Sequence, residues 1–291
     1  MKKITLIALM LFTALSYAQG IELNGTISAE NNQIKNLQDP TEAQDAVTLS
    51  VLLEKISALQ DQLDNAQIGS ITDVEGNTYN SLAYGDQFWT VENAEMVTYR
   101  DGTPIPEVTN NIEWKNLTTG AWCYYSNDPS KGKLYNWYAV MGIHDAEPTT
   151  PNKEFAPEGW HVPTDAEWTT LENYLIANGY NYDGSITGNK IAKSVSSTSG
   201  WCCSWNSELG DVAYNQEENN SSGFNIRPVG YREVSHPLGD FFNIGAAVQV
   251  WSSSVVNGHQ KTISYAYPSF SVTHGSSIIQ QYGFSVRFVR D

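Results

Sequence analysis

The chain has 291 residues, with 32 acidic against 16 basic side chains and a formal charge of -16. A surface so acidic repels nucleic acid and anionic lipid, which excludes those partners. Charged residues make up only 16% of the chain and aromatics reach 12%, a balance closer to an extracellular, loop-rich domain than to a cytosolic enzyme.

The first eighteen residues read as a secretory signal peptide. Lys2 and Lys3 form a basic start, Ile4 to Leu15 an apolar run, and Ser16-Tyr17-Ala18 a small-residue cleavage site. The expected product is exported, as a secreted, surface-associated or periplasmic protein. Losing both lysines leaves 14 basic against 32 acidic residues, a charge of -18. No later stretch approaches the roughly 18 apolar residues of a membrane helix, so no transmembrane segment is expected.

Residues 19–70 contain no Trp, Tyr, Phe or Cys. Leu49, Leu52, Ile56, Leu59, Leu63 and Ala66 are spaced 3, 4, 3, 4, 3, the seam of a coiled coil. The flanking positions are polar, so the stripe is narrow. A self-associating stalk is preferred over a helix docked on the head. The preceding "IKNLQDPTEAQDAVT" resembles the short repeat before coiled coils of trimeric fibre proteins, which implies a homotrimer.

The head is expected over 71–291. "DVEGNTYNSLAYGDQFWTVEN" predicts a turn at Glu75-Gly76-Asn77, a strand to Tyr84, a turn at Gly85-Asp86 and a strand through Trp89. "TTGAWCYY" predicts a strand. "KGKLYNWYAVMG" fits a strand or a short helix. "YGFSVRFVRD" alternates Phe284, Val286, Phe288 and Val289 against polar neighbours and predicts a closing strand. There is no βαβ rhythm and no phosphate loop. The class is α+β, one domain with small antiparallel sheets, few helices and long loops.

"GWHVPTDAEWTTL" gathers a histidine, carboxylates and tryptophans, as a catalytic cluster would. Helix-end chemistry accounts for most of it. Thr164 is an N-cap with Glu167 three residues on, a capping box. Asp165 suits the positive end of the helix dipole. Trp168, Leu171 and Leu175 share one face, and Asn178-Gly179 ends the helix. Asp165 and Glu167 diverge on the helix and cannot act as a pair. His161 is left without an assigned role.

The same stretch resembles the "RLPTEAEWEYA" helix of the formylglycine-generating-enzyme (sulfatase-modifying factor) fold, itself C-type-lectin-like. A closer resemblance is to the FISUMP family, the Fibrobacter succinogenes major paralogous domain. It is carried, in family order, by "GDQFWTVEN", "DGTPIPEVTNNIEW", "LTTGAWCYYSND", "GKLYNWYAV", "GWHVPTDAEW", "GYNYDGSITGNKIAKS", "SSGFNIRPVGYR", "WSSS" and "YGFSVRFVRD". The resemblance implies a lectin-like head and leaves the activity open. The chain departs from the family at Phe288, where a cysteine is usual, at "IRPVGYR" for "ALPGGYR", and at Cys202-Cys203. The usual cysteine pairing is therefore in doubt.

No catalytic residues are expected. The paired cysteines of the sulfatase-modifying oxidases lie late in the domain, whereas Cys202 and Cys203 are vicinal in a Ser/Trp-rich loop with no basic neighbour to activate them. Cys123, Cys202 and Cys203 allow at most one internal disulfide. The histidines at 144, 161, 236, 259 and 274 lack ligand spacing. No metal or cofactor is expected. Acidity leaves calcium open without a motif for it, and "NYDGSITGN" (Asn181 to Asn189) is better taken as a glycine-shaped turn.

The expected function is a binding or adhesion module for glycan or protein. A structural surface or matrix protein is the alternative, and a sulfatase-modifying-factor-like oxidase ranks third. Between Trp251 and Tyr282 the chain mixes aromatics with Ser, Asn and Gln as paratopes do. The expected contact residues are His259, Gln260, Phe270, His274 and Gln281, with Trp205 and Tyr231 as aromatic platforms. Trp251 and Phe284 are expected in the core.

Overall fold

The structure, a computed structural model, describes residues 51–59, 68–202, 209–234, 240–256, 259–266 and 273–291. The chain forms two compact units, residues 1–60 and 61–291. The expected signal peptide and fibre-like repeat lie outside the described residues, as do Leu49, Leu63 and Ala66 of the heptad series.

In the first unit residues 51–59 are helical (α1), as the heptads require. Leu52, Ile56 and Leu59 are 48%, 52% and 64% exposed, and Leu53, off the seam, is exposed as well.

The second unit mixes small sheets with short helices. One sheet runs β1-β2-β3-β12-β6, all antiparallel. Its strands are β1 (Ile68–Thr72), β2 (Thr78–Tyr84), β3 (Gln87–Thr90), β6 (Trp160–His161) and β12 (Val289–Arg290). A second sheet runs β11-β10-β9-β7-β8. Its strands are β7 (Val229–Arg232), β8 (Phe241–Ile244), β9 (Ala247–Val256), β10 (His259–Ala266) and β11 (Thr273–Ile278). Within it β7 and β9 are parallel. The strands β4 (Trp122–Tyr124) and β5 (Lys133–Tyr135) form a third, two-stranded sheet. The helices are α2 (Asn111–Lys115), α3 (Trp137–Val140), α4 (Asp165–Ala177) and α5 (Ala192–Val195).

The predicted hairpin forms, and β1 adds a strand that starts upstream of Ile71. Its first turn is built by Asp73, whose carboxylate accepts from the Glu75 and Asn77 amides at 3.0 and 2.9 Å and from the Tyr79 hydroxyl at 2.7 Å. Gly76 sits there at φ +90°, where a side chain would be strained. "KGKLYNWYAVMG" is both things in succession, β5 then α3. The switch is the buried Asn136, whose Oδ1 caps α3 by accepting from the Ala139 amide at 2.9 Å and also accepts from the Ala121 amide at 3.0 Å.

The closing segment differs from the expectation of one strand. Only Val289–Arg290 join a sheet strand. Gly283, Phe284 and Ser285 make single bridges to Arg232, Tyr135 and Val250, and the Val286 and Phe288 carbonyls accept from the Ala94 and Thr90 amides. Phe284, Val286, Phe288 and Val289 are buried as predicted, but so are the polar Ser285 and Arg287. The reason is that protein lies on both faces. Phe284, Val286 and Phe288 pack in the cluster of Trp122, Trp137, Trp160 and Trp251, while Val289 packs in the cluster of Trp89, Trp168 and Trp201.

Arg287 crosses between these regions. Its guanidinium donates to Thr90 O (2.7 Å), Phe224 O (3.2 Å), Asn225 O (3.2 Å) and Asn93 Oδ1 (2.6 Å), over the Phe224 ring. Replacing Arg287 with Ala strands these acceptors in the interior, and each costs on the order of 1–3 kcal/mol. Arg287→Ala should therefore lower the unfolding free energy by about 3 kcal/mol or more, read from the urea midpoint. Arg287→Lys, which loses the planar fork, should recover less than half.

Candidate functional site

The "GWHVPTDAEW" stretch folds as its residue types dictate. Thr164 caps α4, accepting from the Glu167 amide at 3.2 Å, and Glu167 Oε2 accepts from the Thr164 amide at 2.7 Å, closing the capping box. Trp168, Leu171 and Leu175 are buried. His161 then acquires a role. Its Nε2 meets Glu167 Oε1 at 2.7 Å and its Nδ1 meets Asp291 Oδ1 at 2.6 Å. The pairing of β12 with β6 brings Asp291 there. The hydrogen bond to Glu167, with that to Asp291, raises the His161 pKa from its ordinary 6.5. Burial pushes Glu167 up, but the bonds from His161 and Thr164 outweigh it and hold the carboxyl below its ordinary 4.5. The geometry is that of an ion-paired latch between α4 and the last strand.

Cys123 and Cys202 lie on different segments and are not bonded to one another. Cys123 on β4 is a buried free thiol whose pKa burial pushes up to about 11, with Arg232 opposing. It is thus poorly suited to act as a thiolate. Cys202 is half-buried, and its amide donates to Gly245 O at 2.7 Å. Cys203 lies outside the described residues.

"NYDGSITGN" is the expected turn. Asn181 gathers it, donating to Ser185 O at 2.7 Å and Gly188 O at 3.0 Å and accepting from the Lys190 amide at 2.8 Å. Lys190 Nζ sits 2.5 Å from Asp183 Oδ2, so the loop supplies its own cation. Among the described residues no three His, Cys, Asp or Glu side chains converge as a metal site.

The expected contact residues that are described lie on β7, β10, β11 and the turn after β11. Tyr231, on β7, is half-buried with its ring against Phe242 and Phe284 at 6.1 and 6.0 Å. Gln281 Nε2 donates to Leu117 O at 3.1 Å and to the Tyr138 hydroxyl at 3.2 Å, which commits it to holding its own turn. His259 and Gln260 open β10, and His274 on β11 pairs with Ile263 further along. Trp205 and Phe270 lie outside the described residues. Trp251 and Phe284 are core, as predicted. "WSSS" is a β-bulge on β9, with a register shift between Gln260 and Thr262 of β10. There the Ser253 amide donates to Pro163 O at 2.8 Å, and Ser254 Oγ accepts from the Asp165 amide at 2.9 Å, docking the strand on the start of α4.

What the sequence did not indicate is an open cleft of about 890 Å³. Its walls are Val91–Glu95 after β3, the turn at Pro129–Gly132, Ser199–Gly200, Asn225–Val229 and Ile244–Gly245, with Arg287 reaching it from the core. Glu92 accepts from the Asn80 amide and side chain at 2.7 and 2.8 Å. Glu95 Oε2 pairs with Lys133 Nζ at 2.9 Å. Its walls come from segments far apart in the chain, and the motifs that contribute to it, "GDQFWTVEN" and "SSGFNIRPVGYR" among them, gave no sign in the sequence that they meet.

Two outcomes test the α4 latch. Thr164→Ala should cost about 1 kcal/mol of stability without affecting ligand binding. A raised histidine stabilises fully below its ordinary 6.5 and loses this as pH rises through its folded value, while a lowered Glu167 stabilises above 4.5 and loses this as pH falls. The stability difference between wild type and His161→Asn should therefore be largest between those values. It should be about 0.5–1 kcal/mol, as for a half-exposed pair, and should shrink by pH 8.5 in urea titrations.

No curated protein and no solved structure matches this chain. The family model described as the Fibrobacter succinogenes major domain matches residues 82–290, from β2 to the end of β12. With 209 of its 291 residues matched, the chain belongs to the Fibrobacter succinogenes major domain family.

Proposed function

We propose that this protein is an exported, non-catalytic binding module: a C-type-lectin-like head, raised on a trimeric coiled-coil stalk, that recognises a glycan or protein at or near the cell surface. The observation that carries this reading is the cleft of mixed polar and apolar lining, a concavity of ligand size. Its walls hold no nucleophile paired with a base. Among the described residues His161, held between carboxylates, sits in the α4 latch, and the fully buried thiol of Cys123 is pushed away from thiolate form.

Small antiparallel sheets, few helices and long loops favour the lectin-like architecture, in which ligands meet loops over a rigid scaffold. In this reading the β9–β11 ribbon carrying His259, Gln260 and His274 is a second contact surface. Exposed Leu52, Ile56 and Leu59 on α1 are the seam through which copies associate. Three heads on one stalk multiply weak contacts through effective concentration.

Light scattering on the chain without residues 1–18 should report a trimer. Leu52→Asp with Leu59→Asp should give a monomer whose head melts at the wild-type temperature. A wild-type monomer would remove the stalk from the proposal.

A further inference from the structure

The charge around the cleft is at odds with the rest of the chain. Within residues 68–291 nearly every cation with a described side chain is spoken for inside the fold. Lys133, Lys153 and Lys190 pair with carboxylates. Arg100, Lys193, Arg232 and Arg287 donate to backbone carbonyls, and Arg290 stacks on Phe88. Lys115, Lys131 and Arg227 alone have no side-chain hydrogen bond, ion pair or ring contact among the described residues. Lys131 reaches a carboxylate only through space, as the smallest of the influences that lower Asp128. Lys131 and Arg227 are both exposed, and both line the cleft.

The acidic residues of the same cleft are arranged the opposite way. Glu92 is occupied by Asn80 and Glu95 Oε2 by Lys133. Glu95 Oε1 makes no hydrogen bond among the described residues, and Gly132 beside it places no side chain against that oxygen, which a Cβ there would touch at 3.5 Å. The cleft thus offers two uncommitted cations on its walls, one uncommitted carboxylate acceptor, and apolar contact from Pro228, Val229 and Ile244. In a chain of net charge -16, two free cations in one concavity select an anion.

We infer that this cleft binds an acidic glycan, an oligosaccharide of uronic acids, with Lys131 and Arg227 on its carboxylates and Glu95 Oε1 accepting a sugar hydroxyl. The inference rests on the binding-module reading and names its ligand class. A uronic-acid chain carries carboxylates and hydroxyl donors together, which this mixture of cations and a free acceptor requires. An acidic peptide supplies the carboxylates too, but its donors are backbone amides in place of hydroxyls, so an acidic peptide is the competing ligand in the test.

The test is calorimetric titration of the protein at low salt with tetramers of galacturonic, glucuronic and mannuronic acid, with their neutral methyl esters, and with hexaglutamate. At least one uronate should bind, its ester and hexaglutamate should bind at least tenfold more weakly, and added salt should weaken the uronate. Arg227→Ser and Lys131→Ser should each weaken it about tenfold, the worth of one charge-assisted bond. Lys115→Ser, an uncommitted cation outside the cleft, should leave it unchanged. Unchanged melting temperatures would show that the variants are folded, since neither cleft cation has a side-chain partner among the described residues. Equal binding of acid and ester, equal binding of hexaglutamate, or an unaffected double variant would overturn the acidic-glycan assignment. If the esters bind and the double variant still holds them, the binding module survives and its anionic preference fails. Failure of every probe to bind would count against both.

Discussion

Two buried guanidiniums that donate chiefly to backbone carbonyls hold this head together. Arg287 and Arg232 are 1% and 0% exposed. Arg232 donates to Val108 O at 2.8 Å, Thr109 O at 3.1 Å and Asn111 Oδ1 at 2.7 Å, and lies over the rings of Trp114 and Phe241 at 4.4 and 5.0 Å. Arg287 does the same for the 90–93 and 224–225 segments. Loops that lack ladder partners would otherwise bury unsatisfied carbonyls. A planar fork of donors serves several at once, and aromatic faces stabilise the charge where water is absent. Burying a guanidinium is costly, so each arginine is stable only while all its acceptors stay in place. That mutual dependence ties distant loops into one unit.

The cleft follows from the same constraint. Val91–Glu95 and Asn225–Val229 are two of its walls, and Arg287 grips both segments from beneath. Asn225 is held at φ +57°, a left-handed conformation that asparagine tolerates and most residues do not. Loops fixed in this way lose little entropy when a ligand arrives, which is what a binding surface made of loops needs. The interior aromatics serve packing. Of nine tryptophans, the eight within the described residues are all buried.

How much of this was legible depended on the range of the interaction. The β2–β3 hairpin and the α4 cap were readable because their determinants lie within a few residues: Gly85-Asp86 at the turn, Thr164 and Glu167 at the helix start. Trp251 and Phe284 declared themselves by apolar alternation. Alternation failed for Ser285 and Arg287, because a period of two identifies a face but not whether the opposite face meets water. His161 gave no sign of Asp291, its partner 130 positions on. The acceptors of Arg232 and Arg287 are mostly carbonyls, which every residue carries, so no residue type marks them. Tyr231 and Gln281 looked free because short polar stretches surround them, yet tertiary contacts hold both. The cleft brings together segments from Val91 to Arg287, and only the fold juxtaposes them.

The most direct test of this account is hydrogen–deuterium exchange of the head with and without a bound uronic-acid tetramer. The account predicts slowed exchange in the Val91–Glu95, Pro129–Gly132 and Asn225–Val229 segments, at the three walls that carry Glu95, Lys131 and Arg227. Protection confined to β10 and β11, with those walls unchanged, would contradict it.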